Sequence, residues 1–375
     1  MKLDQLLREW PPGFGGVERV AHEIASALGG SVYSLDVQNQ SRLLQDPLSV
    51  DYPRIRLPRF NIFGRLHLPL PSLALFDLLL SNRPLHGHLP SPSVLLVLIL
   101  AKVIRPHRFV SAHWHCFLEP AHGISGRLYG LYQWFALLLL PFFSTVVTTS
   151  PQLYQELKRC GCRSDRLFIL PCSLSPQVEK MCLSLSLPEP SKGQPLKVLF
   201  IGRLDTYKRV DWLLESLAQL TIPFHLTVVG DGPLRQSFEQ LSASFIHSDS
   251  VRFLGCISES EKLEQLSESD VLVLPSDRCN EAFGIVQLEA MASGRISLAF
   301  DQPRSGMGWV GQLTDLPWSQ SREALADVLL RIACKPALRH QLCLQSRERY
   351  QSLFARNIWL KQLDRLVQSV ETGNV

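Results

Sequence analysis

The chain has 375 residues, 38 Lys and Arg against 34 Asp and Glu, a formal net charge of +4 and a pI near 8.6. That length suits two domains of ordinary size, each with its own core, and so mild a basic balance excludes an electrostatic footprint for nucleic acid. Nine cysteines, an odd number without zinc-like CxxC pairs, predict reduced thiols of a cytosolic chain and exclude a disulfide scaffold; Cys160-Gly161-Cys162 reads as an accidental pair.

In chain order, Met1 to Trp10 lack the apolar core of a signal peptide. Pro11 to Glu18 form a glycine-rich loop that feeds a predicted helix over 17–28; its amides can approach phosphate or sugar oxygens, or the loop serves structure alone. Strand-like pieces follow at 32–35, 109–112, 145–148 and 167–170. From Tyr52 to Phe76 there is no acid, and Arg54, Arg56, Arg59 and Arg65 alternate with Phe60, Ile62 and Phe63. Such a stretch suits docking on anionic lipid headgroups or an ordinary solvated loop. His86-Gly87-His88 and His113-Trp114-His115 stand out as histidine pairs. A His-Trp-His at a strand end suits a packing or surface cluster, and a metal site on His113 and His115 would need further ligands that the sequence does not locate. The apolar runs 94–101 and 134–143 fall short of the ~20 residues of a spanning helix. Residues 137–143 read as core.

The second half is more regular. Leu187 to Pro195, rich in Pro, Gly and Ser, is the expected linker. Beyond it, strands at 198–201, 226–229, 251–254, 271–274 and 296–299 are each followed by a turn and amphipathic sequence, the pattern of a parallel sheet covered by helices. The chain is therefore read as α/β, with two doubly wound domains facing across a cleft and ligands at the carboxyl ends of the strands.

At those ends lie the candidate functional residues. Strand 198–201 delivers Gly202-Arg203 and then Lys208: a close turn, a planar fork and a point charge. They suit the neutralisation of a diphosphate, or an exposed basic loop that caps the next helix. Gly230-Asp231-Gly232-Pro233 says on its own only that the backbone bends. The densest segment is Pro275 to Gly294, in which Phe283-Gly284 are expected to open a helix that Gly294 closes. The amides of Phe283, Gly284 and Ile285 then make an anion site between Glu281 on the loop and Glu289 in the helix, unless both acids merely face solvent.

Gly15-Gly16-Val17-Glu18, Gly202-Arg203 with Lys208, Gly230-Asp231-Gly232-Pro233, Phe253-Leu254-Gly255 and Glu281-Ala-Phe-Gly-Ile-Val-Gln-Leu-Glu289-Ala-Met291 follow one another in the order of the retaining family 4 glycosyltransferases of the GT-B fold, which the chain resembles over most of its length. The histidine segments resemble those of bacterial mannosyl- and rhamnosyltransferase-like members. The resemblance implies a Rossmann-like acceptor-side domain at 1–186, a nucleotide-sugar domain at 187–355 and a C-terminal helix at 356–375 that packs back on the first. It implies Glu281 and His113 at the donor sugar, Arg203, Lys208 and the amides of Phe283, Gly284 and Ile285 on the leaving diphosphate, Gly15 and Gly16 beside the donor, and Glu289 on the ribose. No Asp-x-Asp triplet occurs, so neither a metal nor another cofactor is expected. The implied reaction moves a hexose from GDP-mannose or a UDP-sugar to a saccharide or lipid-linked acceptor in cell-envelope or exopolysaccharide synthesis, with retention of configuration. The protein would be cytoplasmic, and peripheral on the inner face of the membrane if 52–76 docks there. An epimerase or hydrolase of the same fold, or a non-catalytic sugar-nucleotide-binding subunit, are the rival readings. Three departures stand against the resemblance. Asp4, Arg8 and Glu9 interrupt the first strand, Arg295 follows Gly294 where proline is usual, and the glycine-rich donor loop survives only loosely in Ser305-Gly306-Met307-Gly308 and Gly311.

Overall fold

A computed structural model describes residues 2–9, 15–35, 50–63, 66–119, 123–189, 193–244 and 250–371. Residues 11–14 of the glycine-rich loop, Arg65 and 190–192 of the expected linker lie outside them. The chain divides into two units, Met1–Cys172 with Trp359–Val375, and Ser173–Ile358.

Unit 1 runs β1 (Asp4–Leu7), α1 (Gly16–Leu28), β2 (Val32–Ser34), β3 (Arg54–Arg56), β4 (Arg59–Phe63), β5 (Leu66–Pro69), α2 (Leu73–Leu80), β6 (Leu85–Leu89), α3 (Pro92–Ile104), β7 (Val110–Trp114), α4 (Gly123–Leu139), β8 (Thr145–Thr148), α5 (Pro151–Arg159) and β9 (Leu167–Ile169). Seven strands form a parallel sheet in the order β3-β2-β1-β6-β7-β8-β9, while β4 and β5 pair as a separate antiparallel hairpin. The opening strand exists despite its polar sequence. Asp4 is fully buried, but its Oδ1 accepts the Ser31 amide at 2.8 Å and its Oδ2 lies 3.2 Å from Arg83 Nε, so the carboxyl that interrupts the hydrophobic pattern has an amide and a cation beside it where it stands. Burial nonetheless pushes the Asp4 pKa up, against those two partners.

Unit 2 runs α6 (Pro176–Ser184), β10 (Leu196–Ile201), α7 (Val210–Ala218), β11 (Phe224–Val229), α8 (Arg235–Ala243), β12 (Val251–Gly255), α9 (Glu259–Glu268), β13 (Val271–Leu274), α10 (Val286–Ala292), β14 (Ile296–Ala299), α11 (Met307–Val310), α12 (Leu325–Cys334) and α13 (Pro336–Leu353). All five strands are parallel, in the order β12-β11-β10-β13-β14. Every residue of β13 and β14 is buried, the continuous apolar run of a strand covered on both faces. Leu213, Leu217, Leu325 and Leu329 from α7 and α12 pack on one face with Phe200, Phe224 and Val273. Leu199, Leu272 and Ala290 belong to a second cluster.

The two units meet in sequence ahead of the Pro- and Ser-rich segment. Helix α6 starts at an N-cap Ser175 that accepts the Val178 amide, with Pro176 in the first turn, and its Glu179 accepts from Tyr350 Oη at 2.8 Å and from the Arg356 amide at 2.7 Å. Those bonds tie α6 to unit 2, so the division falls at Cys172–Ser173. The chain recrosses inside α14 (Arg356–Glu371), whose Trp359, Leu363 and Leu366 are buried.

Candidate active site

In unit 2, β10 lies between β11 and β13, so the order of the sheet reverses there, and the loops after β10 and β13 stand at the carboxyl edge where such sheets take their ligands. The loop after β10 carries a short 3₁₀ turn, Thr206–Lys208, capped by Asp205, and Arg209 follows in the left-handed region at φ 50°. That turn brings Lys208 Nζ onto the Glu281 carboxylate, which comes from the loop after β13. The Asp277 amide donates to Tyr207 O at 3.1 Å and joins the same two loops through the backbone. Burial works against the Lys208 ammonium, but Glu281 and Tyr207 outweigh it and raise its pKa above the ordinary lysine value. Arg203 is different: its side chain is 63% exposed, and Nε stands 3.6 Å from Asp205. The two cations expected to act alike are a buried, paired ammonium and a solvated guanidinium.

The loop after β13 corrects one expectation. Helix α10 begins at Val286, not at Phe283, because Gly284 sits at φ 70°, which a helix cannot include. Residues 281–285 are a turn, fastened by Gln287 Nε2 to Phe283 O at 2.8 Å, Ser305 Oγ to Glu281 O at 2.6 Å and Gly306 N to Ala282 O at 2.8 Å. Among the described residues the amides of Phe283, Gly284 and Ile285 have no acceptor, so the anion-binding amides belong to a glycine turn and not to a helix end. Ser305 and Gly306 thus serve this loop, a role the sequence did not signal. Gly294 does close α10 at φ 70°.

Glu289 lies in α10 and is buried. Its Oε2 faces Lys262 Nζ at 2.9 Å, and Lys262 also reaches Glu259 at 2.7 Å. Lys262, on α9, escaped sequence reasoning because nothing in its helix marks it as facing a residue so far along the chain. Arg295, which stands where proline is usual, is also buried. Its guanidinium donates to the carbonyls of Leu266, Ser186, Ser293 and Ser267 at 2.6–2.8 Å, and burial pulls its pKa down to about 10. It staples the end of α9 to the start of β14.

In unit 1, the parallel register sets His86 beside Ser111 and His88 beside His113, with Gln5 beside His86 on β1. Four buried imidazoles result. The Gln5 amide donates Nε2 to Leu3 O, so its Oε1 accepts from His88 Nε2 at 2.9 Å. His88 Nδ1 is then bare and accepts from His115 Nε2 at 2.8 Å. On the second track, Ser111 Oγ donates to Leu85 O and accepts from His86 Nδ1 at 2.7 Å; His86 Nε2 accepts from His113 Nδ1 at 3.3 Å. His113 Nε2 is left as an unprotonated nitrogen, buried and unpaired among the described residues. Burial pushes all four pKa values down, to about 3 for His86 and His115. Sequence reasoning found no further ligands for a metal at His113, whereas the structure places nitrogens of His86, His88 and His113 within 4.8 Å of one another. The hydrogen bonds already use both nitrogens of His86 and His88 and Nδ1 of His113, and only His113 Nε2 of that group is left over.

At the start of α1, Gly15 is the N-cap, and a Cβ there would meet Glu18 Oε2 at 2.1 Å. The glycine admits a carboxylate of its own helix to that helix end. In the stretch 52–76, Arg54 and Arg56 are half-buried in β3 at the sheet edge, and Phe60 is exposed. No described helix is long and apolar enough to cross a membrane.

Comparison with known proteins agrees with this architecture. The "Glycosyltransferase Family 4" model matches residues 14–178, and the "Glycosyl transferases group 1" model matches residues 187–312. Among curated relatives, the amylovoran biosynthesis glycosyltransferase AmsK of Erwinia amylovora is 26% identical over 56% of this chain and 52% of its own length. The phosphatidyl-myo-inositol mannosyltransferase of Mycobacterium tuberculosis is 32% identical over 38% of this chain and 39% of its own. The chain spans about half or less of the length of these relatives. Among solved structures, HepE of Anabaena in complex with UDP superposes with a TM-score of 0.74 at 17% identity, over 99% of this chain and 100% of that one. Sucrose-phosphate synthase of Thermosynechococcus elongatus gives 0.72 at 20%, over all of both chains. With one family model on each unit and the two Rossmann-like sheets of the GT-B fold, the chain belongs to the family 4, group 1 glycosyltransferases.

Proposed function

We propose that the protein is a retaining glycosyltransferase that moves a hexose from a nucleotide sugar to a saccharide or lipid-linked acceptor in cell-envelope or exopolysaccharide synthesis, from the cytoplasmic side. The observation that carries the reading is the carboxyl edge of β10 and β13, where the Lys208–Glu281 pair stands beside the unpartnered amides of Phe283, Gly284 and Ile285. Breaking the bond between sugar and diphosphate leaves positive charge at the anomeric carbon and negative charge on the departing phosphate. Donors already fixed in place stabilise that leaving group without reorganising. Arg203, exposed and mobile by its length, closes on the diphosphate from solvent, and Lys208 and the turn amides hold it from below. Glu281 faces the developing cation or the sugar hydroxyls, and Glu289 accepts from the ribose. His113 is the unit 1 residue we assign to the sugar: its bare Nε2, buried in this structure, can accept only from a donating hydroxyl. Gly15 and Gly16 bring backbone close to the donor. No step needs a metal.

HepE has been solved with UDP and with UDP-glucose, which supports a UDP-sugar at least as strongly as GDP-mannose. The test is release of nucleotide from UDP-, GDP-, ADP- and dTDP-sugars, with and without a lipid acceptor, by the wild type and by Glu281→Ala and Lys208→Ala. Both variants are expected to fold and to lose transfer. Full activity in either one removes the assignment, and turnover that needs no acceptor replaces it with an epimerase or hydrolase.

A further inference from the structure

Helix α4 turns an apolar face to solvent. Leu128, Leu131, Trp134, Phe135 and Leu138 are exposed, as is Phe142 in the 3₁₀ turn Leu140–Phe142 that follows, with Leu131 and Trp134 near 60%. Their spacing of three and four residues is one stripe of a helix. The opposite face, at Gly126 and Ala136, is buried, as is Leu140 in the turn. This corrects the expectation that 137–143 is core: Leu140 and Phe143 are, whereas Leu138 and Phe142 are not.

The stripe does not stand alone. Helix α3 packs against α2, α4 and β5, and these neighbours carry further exposed apolar side chains: Leu73, Phe76 and Leu80 on α2, and Leu68 on β5. At its own end α3 adds Val103 and Ile104. The α4 stripe alone is a run of large bare apolar side chains of the kind that marks an interaction site.

The charges around it identify the occupant. Residues 123–143 contain no acid, and their one cation, the exposed Arg127, lies near the start of the stripe. At the other end Arg166 donates to Pro141 O at 3.3 Å, beside Phe142, and Lys102 reaches Ser144 Oγ at 3.3 Å. Arg105 is exposed just beyond Ile104. Trp134 supplies an aromatic ring with a polar edge, of the kind that settles at the headgroup level. An acid-free apolar helix face with cations at both ends complements an anionic lipid surface. A second copy of this chain would bring the same cations against each other.

We infer that this layer of unit 1, with α4 at its centre, docks the protein on anionic membranes, and that the basic stretch 52–76 contributes through Phe60 and Leu68 at its edge instead of forming the surface by itself. The inference deepens the reading of a membrane-side acceptor, yet it is measured without any sugar donor, so its failure is distinct from failure of that reading.

The test is flotation of the full chain with vesicles of phosphatidylglycerol and phosphatidylcholine in equal parts, against phosphatidylcholine alone. Wild type is expected to float with the anionic vesicles and to be released by salt. The triple variant Leu131→Ser/Trp134→Ser/Leu138→Ser should partition at least ~10-fold less, with an unchanged circular dichroism spectrum because the sites are exposed. Arg105→Glu/Arg127→Glu should lose the preference for anionic vesicles while keeping the fold. Wild type that stays at the bottom at low salt, or a triple variant that floats equally well, overturns the inference. So does a lipid-free dimer that the triple variant abolishes, which would assign the face to a second copy.

Discussion

Lys262→Met removes the cation that faces Glu289 and keeps the length and volume of the side chain, so what is lost is charge. The two groups lie 2.9 Å apart, with side chains 10% and 3% exposed. At an effective dielectric constant of ~20, a pair at that distance attracts by about 6 kcal/mol before desolvation, and breaking a buried pair from one side costs ~3–5 kcal/mol net. The mostly exposed Glu259 partner adds little. We expect Lys262→Met to lose ~3–4 kcal/mol, or about 10 °C in the melting temperature of a unit of this size. Burial pulls the Lys262 pKa down, and Glu289 and Glu259 more than offset that and leave it raised. A raised lysine contributes stability below its unfolded pKa of ~10.4 that fades as pH climbs through the higher folded value, so the deficit should hold from neutral pH to about 10. The assay is urea denaturation followed by tryptophan fluorescence, alongside the double variant Lys262→Met/Glu289→Met. That variant leaves no buried charge and should recover most of the loss. A single variant within ~1 kcal/mol of wild type, or a double variant no more stable than the single, refutes the argument.

Two other outcomes follow from the same geometry. Burial holds His86, His88, His113 and His115 well below the ordinary histidine value, so their stability contribution is complete above the unfolded pKa of ~6.5 and is lost as pH falls toward the folded values, with a slope of up to ~1.4 kcal/mol per pH unit for each. Thermal scans should show the melting temperature falling steeply from pH 6.5 to 5, and a temperature flat across that range contradicts the buried cluster. Gly230→Ala places a Cβ 2.0 Å from Gly202 O at φ 124°; it should cost more than ~2 kcal/mol in urea denaturation and weaken nucleotide binding, while Gly130→Ala, which meets nothing within 4 Å on α4, should be neutral or stabilise by up to ~1 kcal/mol.

The second half of the chain was legible because its strands are short apolar runs with a turn after each. All five predicted strands of that half coincide with β10 to β14 within two residues. Five strands of the first half were not predicted. Three of them, β3, β4 and β5, lie in the basic stretch read as a docking segment or a loop. The other two were hidden by their own polar residues: β1, whose Asp4 and Gln5 defeat a hydrophobic count, and β6, where His86, Gly87 and His88 read as a motif and not as sheet. In both the polar residues are buried by bonds to distant partners, and a single sequence does not display such partners. The same limit applies at the site. Glu281, Lys208 and the glycine turn were visible from spacing, yet the pairing of Lys208 with Glu281 and of Lys262 with Glu289 depends on which loops the sheet brings together. The start of α10 was misplaced because Gly284 fits a helix pattern by position, although its positive φ keeps it outside the helix. The exposed face of α4 was missed for a different reason: an apolar run is the same string of letters whether it points inward or outward.

Gly230 donates to Gly255 O, Gly202 donates to Val229 O, Leu204 donates to Asp231 O, and Leu234 donates back to Leu204 O. Three successive strand ends are thereby laced main chain to main chain, with glycines wherever a side chain would keep them apart. The loops that offer Arg203 and Lys208 consequently have few conformations left to lose when a ligand arrives. Most of the ordering entropy of this edge was surrendered during folding, so affinity for a diphosphate here should depend more on charge and fit than on loop closure.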